Sequence, residues 1–255
     1  MPIEYEVLFN ALLRAFYPFV RIGAFLMAAP IFGDGVVLPR FRLLLAVALT
    51  AAIWGVLPEQ QLPEPFSGPG LALVISELLL GIFMGLFFRL VVNSIIFGAQ
   101  IIALQMGIGF GEMVDPLYGS QVPLLGQFFN YLAILLLLAT GAHLALIEMI
   151  AKSFQSMPVG VWPSYSELGR VLVFAGVVFS GALRIAIPIV AILLLINLAF
   201  GIMTRAAPQI NLFSVGFAML IPVGFTALLI LLPQLLPHFL GYFRDALNLG
   251  SGMRP

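Results

Sequence analysis

Ionisable side chains, among them Arg21, Glu77, Arg89, His143, Glu148 and Arg184, interrupt stretches that are otherwise almost wholly apolar. In hydrocarbon such groups are costly alone, so they pair, line a water-filled path, relay protons or snorkel to an interface. Arg14 and Arg21 are seven residues apart and share nearly one helical face. Arg14 reads as a snorkelling residue, and Arg21, near the middle of its run, points into a bundle. Glu77, Gly81, Gly85 and Arg89 recur at every fourth position, a slanted seam whose glycines admit a neighbouring helix. Glu77 and Arg89 lie about 18 Å apart along a straight helix and cannot pair, so each needs a partner elsewhere or water. The seam serves either function or assembly alone. His143 and Glu148 sit about 140° apart around a helix, a poor metal site. A proton relay is one reading of His143, and a hydrogen-bonded packing histidine is the simpler one.

A second candidate is the glycine-broken segment after the run IFGAQIIALQM, where Gly107, Gly109 and Gly111 alternate with Ile108 and Phe110, and Met113 follows. Irregular backbone cannot face lipid, so this segment lies inside protein or lines a water-filled cavity. It reads either as a mobile apolar closure of a path or as a buried re-entrant turn. The glycine spacing is G-x-G-x-G after an apolar helix, not the dinucleotide fingerprint. No Walker lysine motif, HExxH, serine elbow or carboxylate dyad is found, so no enzyme and no cofactor is expected.

The elements that hold these residues belong to a polytopic, all-α membrane protein. Hydrophobic residues make up 62% of the chain and charged ones 9%, against roughly 25% charged in soluble domains. The formal net charge of zero gives no nucleic-acid footprint, and the absence of cysteine excludes disulfides. The opening MPIEYEV does not resemble a cleaved secretory signal. Apolar runs cover Val7 to Phe32, Phe41 to Leu57, Leu71 to Phe110 and Leu124 to Ile150. The second is barely long enough for a bilayer. A proline-rich loop from Pro58 to Gly70 carries no basic residue and is placed outside. After the more polar Ala151 to Arg170, where Ser164 and Glu167 suggest a capping box, a hairpin follows. Its first arm, Val171 to Met203, exceeds the bilayer thickness and holds Arg184 and Pro188, where a kink is expected. Asn197, Gly201 and Arg205 lead at four-residue spacing into a turn with Pro208, Gln209 and Asn211, and the return arm spans Leu212 to Phe239. Six long apolar units place both termini on one side, and the positive-inside count leaves the orientation open.

Together these pieces resemble the FliR family of flagellar export-gate proteins and its virulence-type secretion counterpart. The resemblance runs from about Val7 to Phe239. It is carried by Arg21 with PIFG at Pro30 to Gly33, ELLLGIFMG from Glu77, LQMGIGFGEMVDP from Leu104, and His143 before MPVG at Met157 to Gly160. LLINLAFGIMTRAAPQINLF from Leu194 to Phe213 completes the set, and the order and spacing of the pieces, with the NxxxGxxxRxxPQxN pattern from Asn197 to Asn211, make it specific. The resemblance implies long kinked helices and helical hairpins in a right-handed helical export-gate complex, in the bacterial inner membrane at the flagellar basal body. It implies a FliP-like unit over 1–170, a FliQ-like hairpin over 171–240 and a short tail over 241–255. FliP-like and FliQ-like subunits, FlhB-like and FlhA-like components and unfolded flagellar substrates are the implied partners. The segment from Gly107 to Met113 then matches a pore plug, and Arg205, Pro208, Gln209 and Asn211 a cytoplasmic hairpin turn. A stand-alone small-solute transporter with Glu77, Arg89, His143 and Arg184 at a midplane site, or a purely structural scaffold, is the alternative.

Overall fold

The computed structural model describes residues 2–33, 35, 37–57, 62–108, 124–162, 164–206 and 212–252. Among them all regular structure is helical. The helices are α1 (Pro2–Ala28), α2 (Pro39–Ile53), α3 (Gly68–Met106), α4 (Leu124–Ala139), α5 (Ala142–Ser156), α6 (Tyr165–Ala175), α7 (Val177–Ala206) and α8 (Leu212–Ser251). A short 3-10 turn, Trp54–Val56, follows α2.

Three long apolar stretches, within α3, α6 with α7, and α8, can cross a membrane by length and composition, and α4 with α5 adds a fourth if that broken pair is one span. The chain is therefore a multi-pass membrane protein. The six units read from the sequence also count α1 and α2, but α2, at 15 residues, rises only about 22 Å and is shorter than the hydrocarbon core.

Several boundaries differ from the sequence reading. The arm from Val171 to Met203 is interrupted at Gly176, between α6 and α7. The run from Leu124 to Ile150 is not one helix: it breaks at Thr140 and Gly141, where Gly141 adopts a left-handed φ of 68°. Glycine takes that conformation without the penalty a Cβ imposes. The last helix does not end near Phe239 but continues to Ser251, with Pro222, Pro233 and Pro237 inside it. Each proline removes one backbone donor. Within the same helix the Thr226 hydroxyl donates to Pro222 O at 2.8 Å.

The chain forms two compact units. The first comprises Met1–Leu90, Leu137–Ala175 and Phe243–Pro255. Its core is aromatic, with Phe87 edge-on to Phe174 and Phe88 against Phe243 at ring separations of 5.5 and 5.1 Å. The second comprises Val91–Leu136 and Gly176–Tyr242, with Phe129, Ala182, Ala186 and Leu193 buried within it. Within the PIFG turn of the first unit, Ile31 has a φ of 74°. A β-branched residue there stores strain of about 1–3 kcal/mol. The turn is held by Gly33 N–H donating to Ala29 O at 2.8 Å.

Candidate functional site

The glycines of the α3 seam face α1. A Cβ built on Gly85 would lie 2.7 Å from Ala28 Cβ and 2.8 Å from the Ala29 nitrogen. One built on Gly81 would strike Arg21 O and lie 2.8 Å from Ala24 Cβ. Small residues on both helices thus bring the two backbones close. One turn before Gly81, the same face of α3 carries Glu77.

Glu77 and Arg21 are both fully buried. Arg21 Nε donates to Glu77 Oε2 at 2.6 Å and Nη2 to Oε1 at 3.0 Å, a two-pronged pair. The third nitrogen serves a different element. Nη1 donates to Met157 O at 2.8 Å, and more loosely to Ser153 Oγ and Ser153 O at 3.3 and 3.4 Å. The Ser153 hydroxyl in turn donates to Ile150 O at 2.7 Å. The guanidinium lies 4.3 Å from the centre of the Phe154 ring, so the same helix supplies a face for the cation. Carbonyls at a helix C-terminus attract positive charge, and Arg21 occupies that position for α5.

One side chain of α1 therefore ties together α3, α5 and the turn after α5. A turn earlier on α1, the buried Tyr17 hydroxyl donates to Pro63 O at 2.7 Å and fastens the proline-rich loop to the same helix. Every strong donor of this cluster has an acceptor, so its chemistry is cohesion. Glu77 spends its charge on Arg21 instead of presenting it to an open cavity.

The other polar residues singled out in the sequence are dispersed. Arg89 is half-buried. His143 is half-buried with its Nδ1 enclosed and without a hydrogen-bond partner among the described residues, so the packing histidine expected from the sequence is not hydrogen-bonded at that atom. Arg184, in the second unit, is exposed and stands 5.9 Å from the Tyr242 ring. Asn197, Gly201 and Arg205 are exposed along α7. Gly107 has a φ of 80° and Ile108 is half-buried, whereas Gly109, Phe110, Gly111 and Met113 lie outside the described residues, as do Pro208, Gln209 and Asn211. No group of three or more potential metal ligands occurs among the described residues. The sequence reading missed Ser153, Phe154 and the Met157 carbonyl. The available signal was the MPVG turn, which closes a helix just where a buried cation elsewhere in the chain needs acceptors.

The fold and the cluster define a multi-pass helical membrane protein with a charge pair sealed inside its first unit. Comparison with known proteins gives the particular family. Residues 12–246 match the family described as bacterial export proteins, family 1. The chain is similar to the flagellar biosynthetic protein FliR of Pectobacterium carotovorum, 36% identical over 94% of this chain and 92% of the relative. It is also similar to FliR of Escherichia coli, 34% identical over 92% of this chain and 90% of that protein. FliR of Aquifex aeolicus is 30% identical over 94% of this chain and 92% of its own length. The chain belongs to the FliR family of bacterial export proteins.

Proposed function

We propose that this chain is a core subunit of the flagellar type III export gate in the bacterial inner membrane, where it helps form and seal the pore for unfolded flagellar proteins. The observation that carries this reading is its membership of the FliR family along nearly its full length. The exposed faces of the chain support it. On α7, Leu183, Ile187, Leu194, Leu198 and Ile202 are exposed around a helix that also exposes Asn197 and Arg205. Apolar residues suit lipid or protein equally, but an amide and a guanidinium on the same face favour protein neighbours with acceptors to offer.

In this reading 1–170 is the FliP-like unit, 171–240 the FliQ-like hairpin, and the neighbours are FliP-like, FliQ-like, FlhB-like and FlhA-like components. Ile108, Phe110 and Met113 form an apolar gasket, with Gly107, Gly109 and Gly111 letting it withdraw. Arg205, Pro208, Gln209 and Asn211 mark the cytoplasmic turn. The Arg21–Glu77 clamp contributes a rigid frame for these movable parts.

Affinity purification of the chain from its native membrane in mild detergent tests the assembly, with FliP-like and FliQ-like proteins expected alongside it. In the recovered complex, Phe110→Ala is expected to raise small-ion conductance. Recovery of the chain alone would sink the subunit reading, and unchanged conductance in an intact complex would sink the gasket.

A further inference from the structure

Residues 185–204 of α7 carry no charge, and from Arg184 to Arg205 the helix rises about 31 Å, one hydrocarbon thickness. Arginines that bracket a span of that length reach its two interfaces. On α8 no ionisable residue occurs from Leu212 to Pro237, and His238 is the first. Arg184 and His238 line one cleft between the two helices, within the second compact unit. The end of this helix pair remote from Arg205 therefore meets the membrane surface at Arg184 and His238.

From that polar end an open trough runs toward the middle of the span. It offers about 430 Å³ and is walled by Pro188 and Ile192 of α7 and by Pro222, Thr226 and Ile230 of α8. Pro188 and Leu231 wall both the trough and the cleft, so the two are continuous. The proline rings and Ala227 are short, which leaves the groove between the helices unfilled. Thr226 adds no polarity, because its hydroxyl is spent on Pro222 O. From Pro222 to Ile230 the wall is about 12 Å long, close to the ~15 Å of hydrocarbon in one leaflet.

The polar end is narrow, about 30 Å³, so a headgroup rests on it instead of entering. The exposed Arg184 guanidinium lies 5.9 Å from the centre of the Tyr242 ring and has no acidic partner among the described residues. The ring steadies the cation without using its N–H groups. His238 Nδ1 lies 2.7 Å from Gln234 O. A carbonyl only accepts, so Nδ1 carries the proton and Nε2 of the neutral ring is left as an acceptor. A phosphate oxyanion suits Arg184, and a hydroxyl beyond the phosphate suits Nε2.

We propose that the trough holds one molecule of an anionic phospholipid, its phosphate on Arg184, a headgroup hydroxyl on His238 and one acyl chain along the α7–α8 wall. Charge and depth together select this occupant. An apolar helix would fill the trough, but it would leave an unpaired cation at its mouth, where the membrane itself supplies phosphates. Asn197 is turned about 140° from Arg184 around α7, so a lipid here leaves the Asn197 face open to a neighbouring subunit. The proposal needs the membrane spans and not the export-gate reading.

The full chain in mild detergent is titrated with phosphatidylglycerol, which carries one negative charge and two headgroup hydroxyls, and bound lipid is counted by native mass spectrometry. One tightly held molecule is expected, preferred over phosphatidylcholine by about five-fold, the worth of one basic residue against an anionic lipid. Arg184→Gln should abolish the preference and Arg184→Lys should keep most of it. Ile192→Trp, which fills the trough, should weaken both lipids by about five-fold. Equal binding of the two lipids by the unaltered chain overturns the anionic assignment and needs no variant to fold. Unchanged affinity in a folded Ile192→Trp chain overturns the acyl seat. Displacement of the lipid by equimolar inorganic phosphate or glycerol 3-phosphate overturns the lipid as the source and leaves a free-anion site. In the assembled gate from native membrane, phosphatidylglycerol is expected to remain, with one fewer molecule in the Arg184→Gln gate. The same count in both gates means that a protein neighbour has taken the trough, and overturns the proposal.

Discussion

Arg21 on α1 grips Glu77 on α3 through two nitrogens, at 2.6 and 3.0 Å, although 56 residues separate them in the chain. Both are sealed from solvent, so neither charge has water to fall back on. Breaking a buried pair from one side leaves the other charge uncompensated, at a cost of about 3–5 kcal/mol. The two sides are unequal. A lone carboxylate is neutralised by taking up one proton, whereas a guanidinium stays charged. Glu77→Leu should therefore destabilise more than Arg21→Leu. The double variant should lose less than the sum of the two, since it buries no lone charge. Its residual loss comes from Ser153 O and Met157 O, which Arg21 no longer serves. Melting of the purified chain in mild detergent measures all three, and strict additivity would refute the clamp.

The Gly85 position makes a steric prediction. Any side chain there meets both a methyl and the backbone of α1, so trimming Ala28 alone cannot make room. Gly85→Val should cost about 1–3 kcal/mol through displacement of α1. The partial rescue by Ala28→Gly should be less than half, because Ala29 N remains in the way. The same melting assay decides it, and full rescue would mean that α1 is not held at the backbone.

Tyr17→Phe removes one hydroxyl and leaves Pro63 O without its donor. The expected loss is about 1 kcal/mol. Its location is more informative than its size: protease cleavage in the proline-rich segment before α3 should accelerate several-fold, while cleavage elsewhere stays unchanged. Uniform acceleration across the chain would assign the hydroxyl to global stability instead of to the loop.

Several of these relationships were partly legible in the sequence. Four-residue spacing put Glu77, Gly81 and Gly85 on one face, and apolar runs longer than a bilayer gave the long helices. The partner of Glu77 was not legible, because helical periodicity relates residues within one element and says nothing about which distant element supplies the opposite charge. Gly141 was overlooked for a different reason. A single glycine is tolerated within a helical pattern, so nothing local distinguishes it from a residue that ends the helix. The sequence reading ends the last helix at Phe239, because the apolar run stops there, whereas α8 continues through the more polar residues to Ser251.

The exposed stripe on α7 separates folding from assembly. A Cβ built on Gly201 meets nothing within 4 Å, in contrast to Gly81 and Gly85. Within this chain, Gly201→Leu thus adds a side chain in open space and improves helix propensity by up to about 1 kcal/mol. The chain's own melting should be unchanged or slightly raised. If Asn197, Gly201 and Arg205 form a seam for a neighbouring subunit, the same leucine occupies the space that the neighbour's helix needs, and co-purified partner protein should fall at least five-fold. A substitution that stabilises the isolated chain while emptying the complex can act only through the interface. Undiminished partner recovery from Gly201→Leu would place this face of α7 against lipid instead.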